Sequence, residues 1–352
     1  MGVTLKQLAQ EAGVSLATVS LALNGSRNVA QNTRNRILLL ARRHNYQPNL
    51  VARSLAGGSN RLIGVLIDSR APRAQFRLLA FIEKEAAQHG YRVMIGEAHD
   101  NVEHLHEIYD TFRQYSADGT ICLAHDYPEQ EVRFRELFGE CPNMVFVGKP
   151  RLPHASYVEI DRSAAVSAAV RHLHQTGFRR IGMLCSIREY CSVTKRIAAF
   201  LKAQEELGIL EPEQLICRLP GEDPEEQHER LYREWIRSGK VDSLLFESDS
   251  RAASVCKFLK KKGISIPNEF GIVGSDNEDV CDYCSPELTS IDDALELQAT
   301  YAIRMLLDML NDKNNARIDR SVTVKSRLII RESSRKCLFE TSNIVQQNRI
   351  VC

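Results

Sequence analysis

The chain has 352 residues, 43% of them hydrophobic and 26% charged, with a formal net charge of +1. That composition excludes wholesale disorder, a collagen-like repeat and a small disulfide scaffold, and at roughly 150 residues per domain it implies two or three domains. The charge is unevenly placed: residues 1–60 hold seven Lys/Arg (Lys6, Arg27, Arg34, Arg36, Arg42, Arg43, Arg53) against Glu11 alone, a head of +6 on a body of −5. Such asymmetry points to two tasks in one chain. No basic segment followed by an apolar stretch opens the sequence, and no apolar run reaches the ~18 residues that a bilayer span needs. The expectation is a cytoplasmic protein without membrane contact.

In chain order, Thr4-Leu-Lys-Gln7 has the form of a capping box, and Leu5, Leu8, Ala9 and Ala12 then follow helical spacing. Gly13 supplies a stop, and Ser15 can cap a second helix over Leu16–Leu23 that ends at Asn24-Gly25. Two short helices about a glycine turn make a helix-turn-helix. A third helix is expected over Gln31–Asn45, with Ile37, Leu38, Leu40 and Ala41 inside and the arginines outside. In such a unit the N-terminal residues of the second helix meet base edges. Leu16, Ala17 and Leu21 face away from the inner Val19 and are apolar, so they suit thymine methyl groups. Ser15, Thr18, Ser20 and Asn24 suit phosphate oxygens. The bland alternative is that these residues are caps and surface of a small helical domain.

Pro48 breaks the third helix, and Asn49 can cap a short apolar one that Gly57-Gly58 ends. A helix of that length is unstable alone and needs a partner helix or DNA, which suits a conditional hinge.

TLKQLAQEAGVSLATVS, LALNGSRNVAQNTRNRI, NYQPNLVARSL and RLIGVLI together resemble the LacI/GalR family of bacterial transcription regulators. The resemblance implies that the head reads half of an inverted repeat, and that paired hinge helices sit over the operator centre. Leu55 would wedge into the minor groove with Ala52 and Arg53 beside it, unstacking a base step. Thr4, Leu5, Tyr46 and Asn49 complete the expected DNA-contacting set.

From Arg61 the pattern becomes alternating β and α. Strands are expected at 62–67, 91–95, 119–124, 143–147, 180–184, 214–218, 243–247 and 270–273. Helices are expected at 76–90, 102–115, 129–138, 163–177, 195–207, 225–238 and 250–262. Two successive doubly wound parallel sheets follow. The expected fold class is thus an all-α helix-turn-helix head on an α/β core of two lobes, periplasmic-binding-protein-like by resemblance. The expected domains are 1–47, a hinge over 48–60, a core over 61–340 and a tail over 341–352. The resemblance further implies crossings near 290–300 and 323, giving lobe 1 as 61–160 with 292–322 and lobe 2 as 161–290 with 323–340.

Ligands bind past the carboxyl ends of such strands. Asp276, Asp249, Arg196 (opening a helix) and Phe76 (starting one) stand there, and the resemblance gives Asp276 and Arg196 contacts to an effector. Carboxylate and guanidinium groups make paired hydrogen bonds with sugars. Caps or inter-lobe ion pairs are the alternative for each, evenly balanced for Asp249 and Phe76. Three positions depart from the family. Gly148-Lys149-Pro150 replaces an acidic residue, so Lys149 favours an anionic ligand unless it is plain surface. Glu189-Tyr190-Cys191 replaces polar residues, and Ala30 stands at a usual serine cap.

Cys281-x-x-Cys284 has redox or zinc spacing but no second pair, so an inert loop is the first reading and a thiol switch the second. His99, His104 and His106 read as helix surface, and no GxxxxGK[ST], GxSxG, HExxH or GxGxxG occurs. No metal, cofactor or catalytic set is expected. The expected function is a regulator, with repression as its expected sense. It would bind a palindromic operator in double-stranded DNA as a homodimer, under control of a small molecule, first of all a carbohydrate. A cytosolic sugar-binding protein is the alternative.

Overall fold

The computed structural model describes residues 3–23, 26, 28–46, 59–68, 73–187, 190–209, 211–219, 223–312 and 319–336. The expectations for Asn24, Asn49, Ala52, Arg53 and Leu55, for most of the hinge and for the tail lie outside the described residues. The chain divides into two units, 1–61 and 62–352.

The first unit holds α1 (Leu5–Ala12), α2 (Leu16–Leu23) and α3 (Gln31–Arg43). Thr4 and Gln7 form the reciprocal capping box, and Gly13 ends α1 at φ 59°, a left-handed conformation that suits glycine. Leu8, Ala9, Ala12, Val19, Ala22, Val29, Ile37 and Ala41 make the core, with Leu5, Leu40 and Tyr46 packed at its edge. His44 Nε2 reaches Glu11 Oε2 at 2.7 Å, pinning the end of α3 to α1. Two expectations for α3 are corrected. It stops at Arg43, and Leu38 faces outward because its neighbours Ile37 and Ala41 occupy the inner stripe. Ala30 caps α3 with no side-chain hydrogen bond.

The second unit is built on two six-stranded sheets. The first has the order β11-β5-β4-β3-β1-β2 and the second β12-β10-β9-β8-β6-β7. In the first sheet lie β1 (Leu62–Asp68), β2 (Arg92–Ala98), β3 (Gly119–Cys122), β4 (Met144–Val147), β5 (Ser156–Asp161) and β11 (Ser321–Lys325). In the second lie β6 (Ile181–Cys185), β7 (Ile216–Arg218), β8 (Ser243–Phe246), β9 (Gly271–Ser275), β10 (Thr289–Asp292) and β12 (Arg327–Ile329). Every pairing is parallel except β10 with β12.

Helices cover both faces of each sheet, so the central strands are apolar on both sides. In lobe 1, α4 (Arg73–Gln88) and α12 (Leu295–Asn311) cover one face, where Ile63, Val65 and Ile67 meet Leu78, Ile82 and Ile303. The other face carries α5 (Val102–Gln114) and α6 (Glu131–Phe138), where Leu66 meets Phe112, Phe134 and Phe138. Gly64 permits this packing, since a Cβ there would fall 2.1 Å from the Phe112 ring. In lobe 2, α7 (Ser163–Gln175) and α8 (Cys191–Glu206) pack on one face. On the other lie α9 (Pro224–Leu231), α10 (Asp249–Lys261) and the short α11 (Val280–Tyr283).

Among the described residues the chain passes between lobes three times. The crossings are Arg162 between β5 and α7, Asp293 between β10 and α12, and Ser326 between β11 and β12. β5, α12 and the last three strands were not anticipated as elements. The expected 225–238 helix ends at Leu231 and continues as a π turn over Tyr232–Ile236. Among the described residues, no helix is long and apolar enough to cross a membrane.

Candidate DNA-reading face and effector cleft

In the head, the Ser15 hydroxyl accepts the Thr18 N–H at 3.1 Å and pairs with the Thr18 hydroxyl at 2.8 Å. Those two side chains thus cap α2 and partly satisfy each other. Leu16 is 48% exposed and Leu21 42%, with Ala17 exposed beside them. These apolar side chains therefore stand on the outer side of α2, opposite the buried Val19 and Ala22. Ser20 is half-buried and Thr4 is exposed, its side chain engaged in the capping box. Leu5 and Tyr46 lean on the head core. Arg36, Arg42 and Arg43 are exposed on α3, whereas Arg34 bonds the Ser26 carbonyl.

The candidate effector site lies at the carboxyl ends of the central strands. Past β9, Asp276 and Asn277 take left-handed backbone at φ 95° and 46°. The loop is tied into lobe 2: Asp276 N–H donates to Ile291 O at 2.8 Å, Asn277 N–H to Ser290 Oγ at 3.0 Å and Glu278 N–H to Asp249 Oδ2 at 2.8 Å. From lobe 1, Arg77 Nη1 donates to the main-chain oxygens of Asp276 at 3.1 Å and Asn277 at 2.8 Å. A second tie joins Cys191 N–H, at the start of α8, to Asp126 Oδ2 past β3 at 2.5 Å. A third pairs Lys195 of α8 with Glu159 of β5.

Arg196 and Asp276 fall in one electrostatic cluster with Arg162 and Asp293. Burial pushes the Asp276 carboxyl up to about 7, helped by the Asp293 charge and opposed by Arg196 and Arg162. Burial also lowers Arg196 from its ordinary value, aided by Arg162, against the pull of Asp293, Asp276 and Glu247. Arg196 Nη1 donates to the Glu247 carbonyl at 3.0 Å, while its Nε is buried with no hydrogen-bond partner among the described residues. A buried, unpartnered N–H is costly and suits an incoming acceptor. Arg196 does not open its helix as expected: α8 starts at Cys191, which places Arg196 in the second turn.

The other expected effector residues have mixed positions. Asp249 is the first residue of α10 and fully buried, so it offers the cleft no surface. It holds the 276–278 loop, and Gly274 makes room for it, since a Cβ there would lie 2.0 Å from Asp249 Oδ1. Burial raises its carboxyl to about 6. Phe76 lies in the first turn of α4, after Arg73, and is 49% exposed. Tyr190 precedes α8, half-buried against the lobe 2 core. Lys149 is exposed, its Nζ 5.8 Å from the Tyr157 ring centroid. Before it, Gly148 at φ 104° admits the His125 ring, which a Cβ would meet at 2.0 Å.

Sequence reasoning missed Arg77, Asp126, Arg162, Glu247 and Asp293. Asp126 and Glu247 could have been found as acids just past strand ends. Asp293 also follows a strand directly, but β10 was not anticipated; Arg77 and Arg162 carry no such local signal.

Two segments match known family descriptions: residues 4–49 match the bacterial regulatory proteins of the lacI family, and 170–334 the periplasmic binding protein-like domain. The HTH-type transcriptional repressor PurR of Escherichia coli O1:K1 / APEC is 29% identical over 331 residues, 94% of this chain and 96% of PurR. The Salmonella paratyphi B PurR is 28% identical over the same length. Among solved structures, the Lac repressor dimer bound to operator and the anti-inducer ONPF superposes with a TM-score of 0.80 at 23% identity, covering 95% of this chain and 99% of that one. The transcriptional regulator CelR–cellobiose complex gives 0.66 at 22% identity, with 94% and 99% covered. The fold is therefore that of a two-lobed regulator core with a helix-turn-helix head. The chain belongs to the LacI/GalR family of bacterial transcription regulators.

Proposed function

We propose that this chain is a transcriptional repressor, a homodimer on a palindromic operator, released or recruited by a small molecule held between the lobes of its core. The observation that carries it is the exposed Leu16–Ala17–Leu21 face of a capped second helix in a basic head. The relative PurR is a repressor, and the Lac repressor relative was solved as a dimer on operator. Reading by leucine and alanine implies thymine methyl contacts at the half-site. Leu55, outside the described residues, is the proposed minor-groove wedge, with Ala52 and Arg53 beside it. We place the head at 1–47, the hinge at 48–60 and the core at 61–340. The site of action is the cytoplasm, at the nucleoid, and the chain has no catalytic task.

For the effector we propose a carbohydrate or a sugar derivative. Asp276 and Arg196 supply a carboxylate and a guanidinium, which together bind hydroxyl groups as acceptor and donor. The CelR relative was solved with cellobiose. The exposed Lys149 supports an acidic or phosphorylated derivative as the second reading.

The test retains sheared genomic DNA on the purified chain at near-physiological salt and sequences it. Enrichment of a few palindromes is expected. Uniform retention that vanishes with added salt is phosphate binding alone and overturns the reading. Neighbouring genes then nominate effectors for Asp276→Ala and Arg196→Ala, which are expected to lose the response while keeping operator binding.

A further inference from the structure

Each of the three inter-lobe crossings contributes a side chain to one contact. Asp293, in the second crossing, is 2% exposed. Its Oδ2 accepts Arg162 Nε of the first crossing at 2.9 Å, with Arg162 Nη2 on the same oxygen. Its Oδ1 accepts the Ser326 hydroxyl of the third crossing at 2.7 Å. Its main-chain oxygen accepts Gln298 Nε2 of α12 at 2.6 Å, and Ser326 N–H donates to the Asp161 carbonyl at 3.0 Å. The carboxylate is thus the common acceptor of all three connections.

We propose that the Asp293 carboxylate is the pivot of lobe rotation: by binding the other two crossings it fixes the axis about which the lobes move. A buried carboxylate demands its partners, because leaving its charge unpaired costs several kcal/mol, whereas small changes in the soft φ and ψ angles around it cost little. The three strands therefore turn about a shared point rather than sliding past one another. Arg162 is only 17% exposed and depends on the same charge. The pivot also adjoins the cleft, since Asp293 pulls on Arg196 and repels Asp276. A ligand that engages Arg196 and Asp276 meets side chains whose charges are already referred to the hinge. The proposal rests on the two-lobed reading of the core and not on which effector binds.

The test measures the distance between spin labels, attached through genetically encoded ketone side chains, at Val132 on α6 and Ser254 on α10. Val132 is 71% exposed and Ser254 is exposed, one on each lobe. Labelled full-length chain is mixed with excess unlabelled chain, so that only distances within one subunit are read. Asp293→Asn presents an amide nitrogen to donors and removes the charge; it is expected to at least double the width of the distance distribution. Ser326→Ala frees the third crossing alone and is expected to give an intermediate width. If Asp293→Asn fails to fold, Ser326→Ala decides. Unchanged widths overturn the pivot even where the melting temperature falls, because a merely packing role lowers stability without freeing the axis.

Discussion

Arg77 of lobe 1 holds Asp276 of lobe 2 by its main-chain oxygen at 3.1 Å, leaving the Asp276 carboxylate to other partners. The same guanidinium nitrogen takes the next carbonyl, that of Asn277, at 2.8 Å. One cation on the first helix of lobe 1 thus senses the backbone of the residue proposed to bind effector. Hydrogen bonds to a charged group contribute about 1.5–3 kcal/mol each when well shielded.

Arg77→Ala is expected to weaken effector binding about 10-fold, or ~1.4 kcal/mol, by removing a tie that favours approach of the lobes. Titration calorimetry with an effector nominated by the regulated genes checks it. An unchanged dissociation constant would count against any role for Arg77 in closure.

Leu16→Ala and Leu21→Ala should each reduce specific operator affinity by about 1–2 kcal/mol, the apolar burial lost against a thymine methyl group. Both leucines are half-exposed, so stability should stay within about 0.5 kcal/mol. Gel-shift assays against a matched and a scrambled half-site separate the two effects. Equal loss on both DNAs would mean that the leucines contribute to shape and not to reading.

Stability should depend on pH through Asp276. Its folded carboxyl titrates at about 7, against an ordinary value of 3.8, because burial disfavours its charge. Between those limits the folded chain keeps a proton that the unfolded chain has lost. Stability therefore falls as pH rises from about 4 to about 7, by up to ~1.4 kcal/mol per pH unit, and is level above. Asp276→Asn should flatten that slope in urea unfolding curves at several pH values. A slope unaltered by the substitution would assign it to other groups.

A ligand that donates hydrogen bonds to Asp276 favours the ionised carboxylate, so its binding should release a proton near neutrality. Calorimetry in buffers of different ionisation enthalpy reads this directly. Zero proton release at pH 6 to 7 would place the ligand's contacts elsewhere.

Gly274→Ala should destabilise the core by roughly 1–3 kcal/mol, the usual cost of overpacking. Its new methyl group would stand 2.0 Å from Asp249 Oδ1, a fully buried acid that holds the Glu278 N–H. Denaturant midpoints check the magnitude, and a midpoint equal to that of the unmodified chain would show that the loop yields easily.

The head was legible because its signals are local. A Thr4–Gln7 capping box, a left-handed Gly13 and a serine cap act within a few residues, so their chemistry is complete in the sequence. Alternating apolar runs likewise declared most strands and helices of the core. Asp276 and Arg196 were visible as charged groups near strand ends, the places where a doubly wound sheet opens to ligand. The crossings were another matter. β5 and α12 went unread although Leu295, Ala299, Ala302, Ile303 and Leu306 keep helical spacing; what nothing local distinguishes is which lobe such an element joins. Asp249, evenly balanced in sequence between ligand and cap, is sealed beneath the loop and holds its Glu278 N–H, whereas Asp276, also buried, stands in the charge cluster with Arg196, Arg162 and Asp293; only packing decides which of two acids past neighbouring strands joins that cluster. Arg162 and Ser326 come to Asp293 from 131 and 33 residues away along the chain. Sequence by itself determined which elements form and which chemistry they carry. The resemblance implied two of the crossings, but tertiary structure alone decided the Arg162–Asp293–Ser326 contact, because a buried carboxylate selects its partners by proximity in space, and sequence separation carries no trace of it.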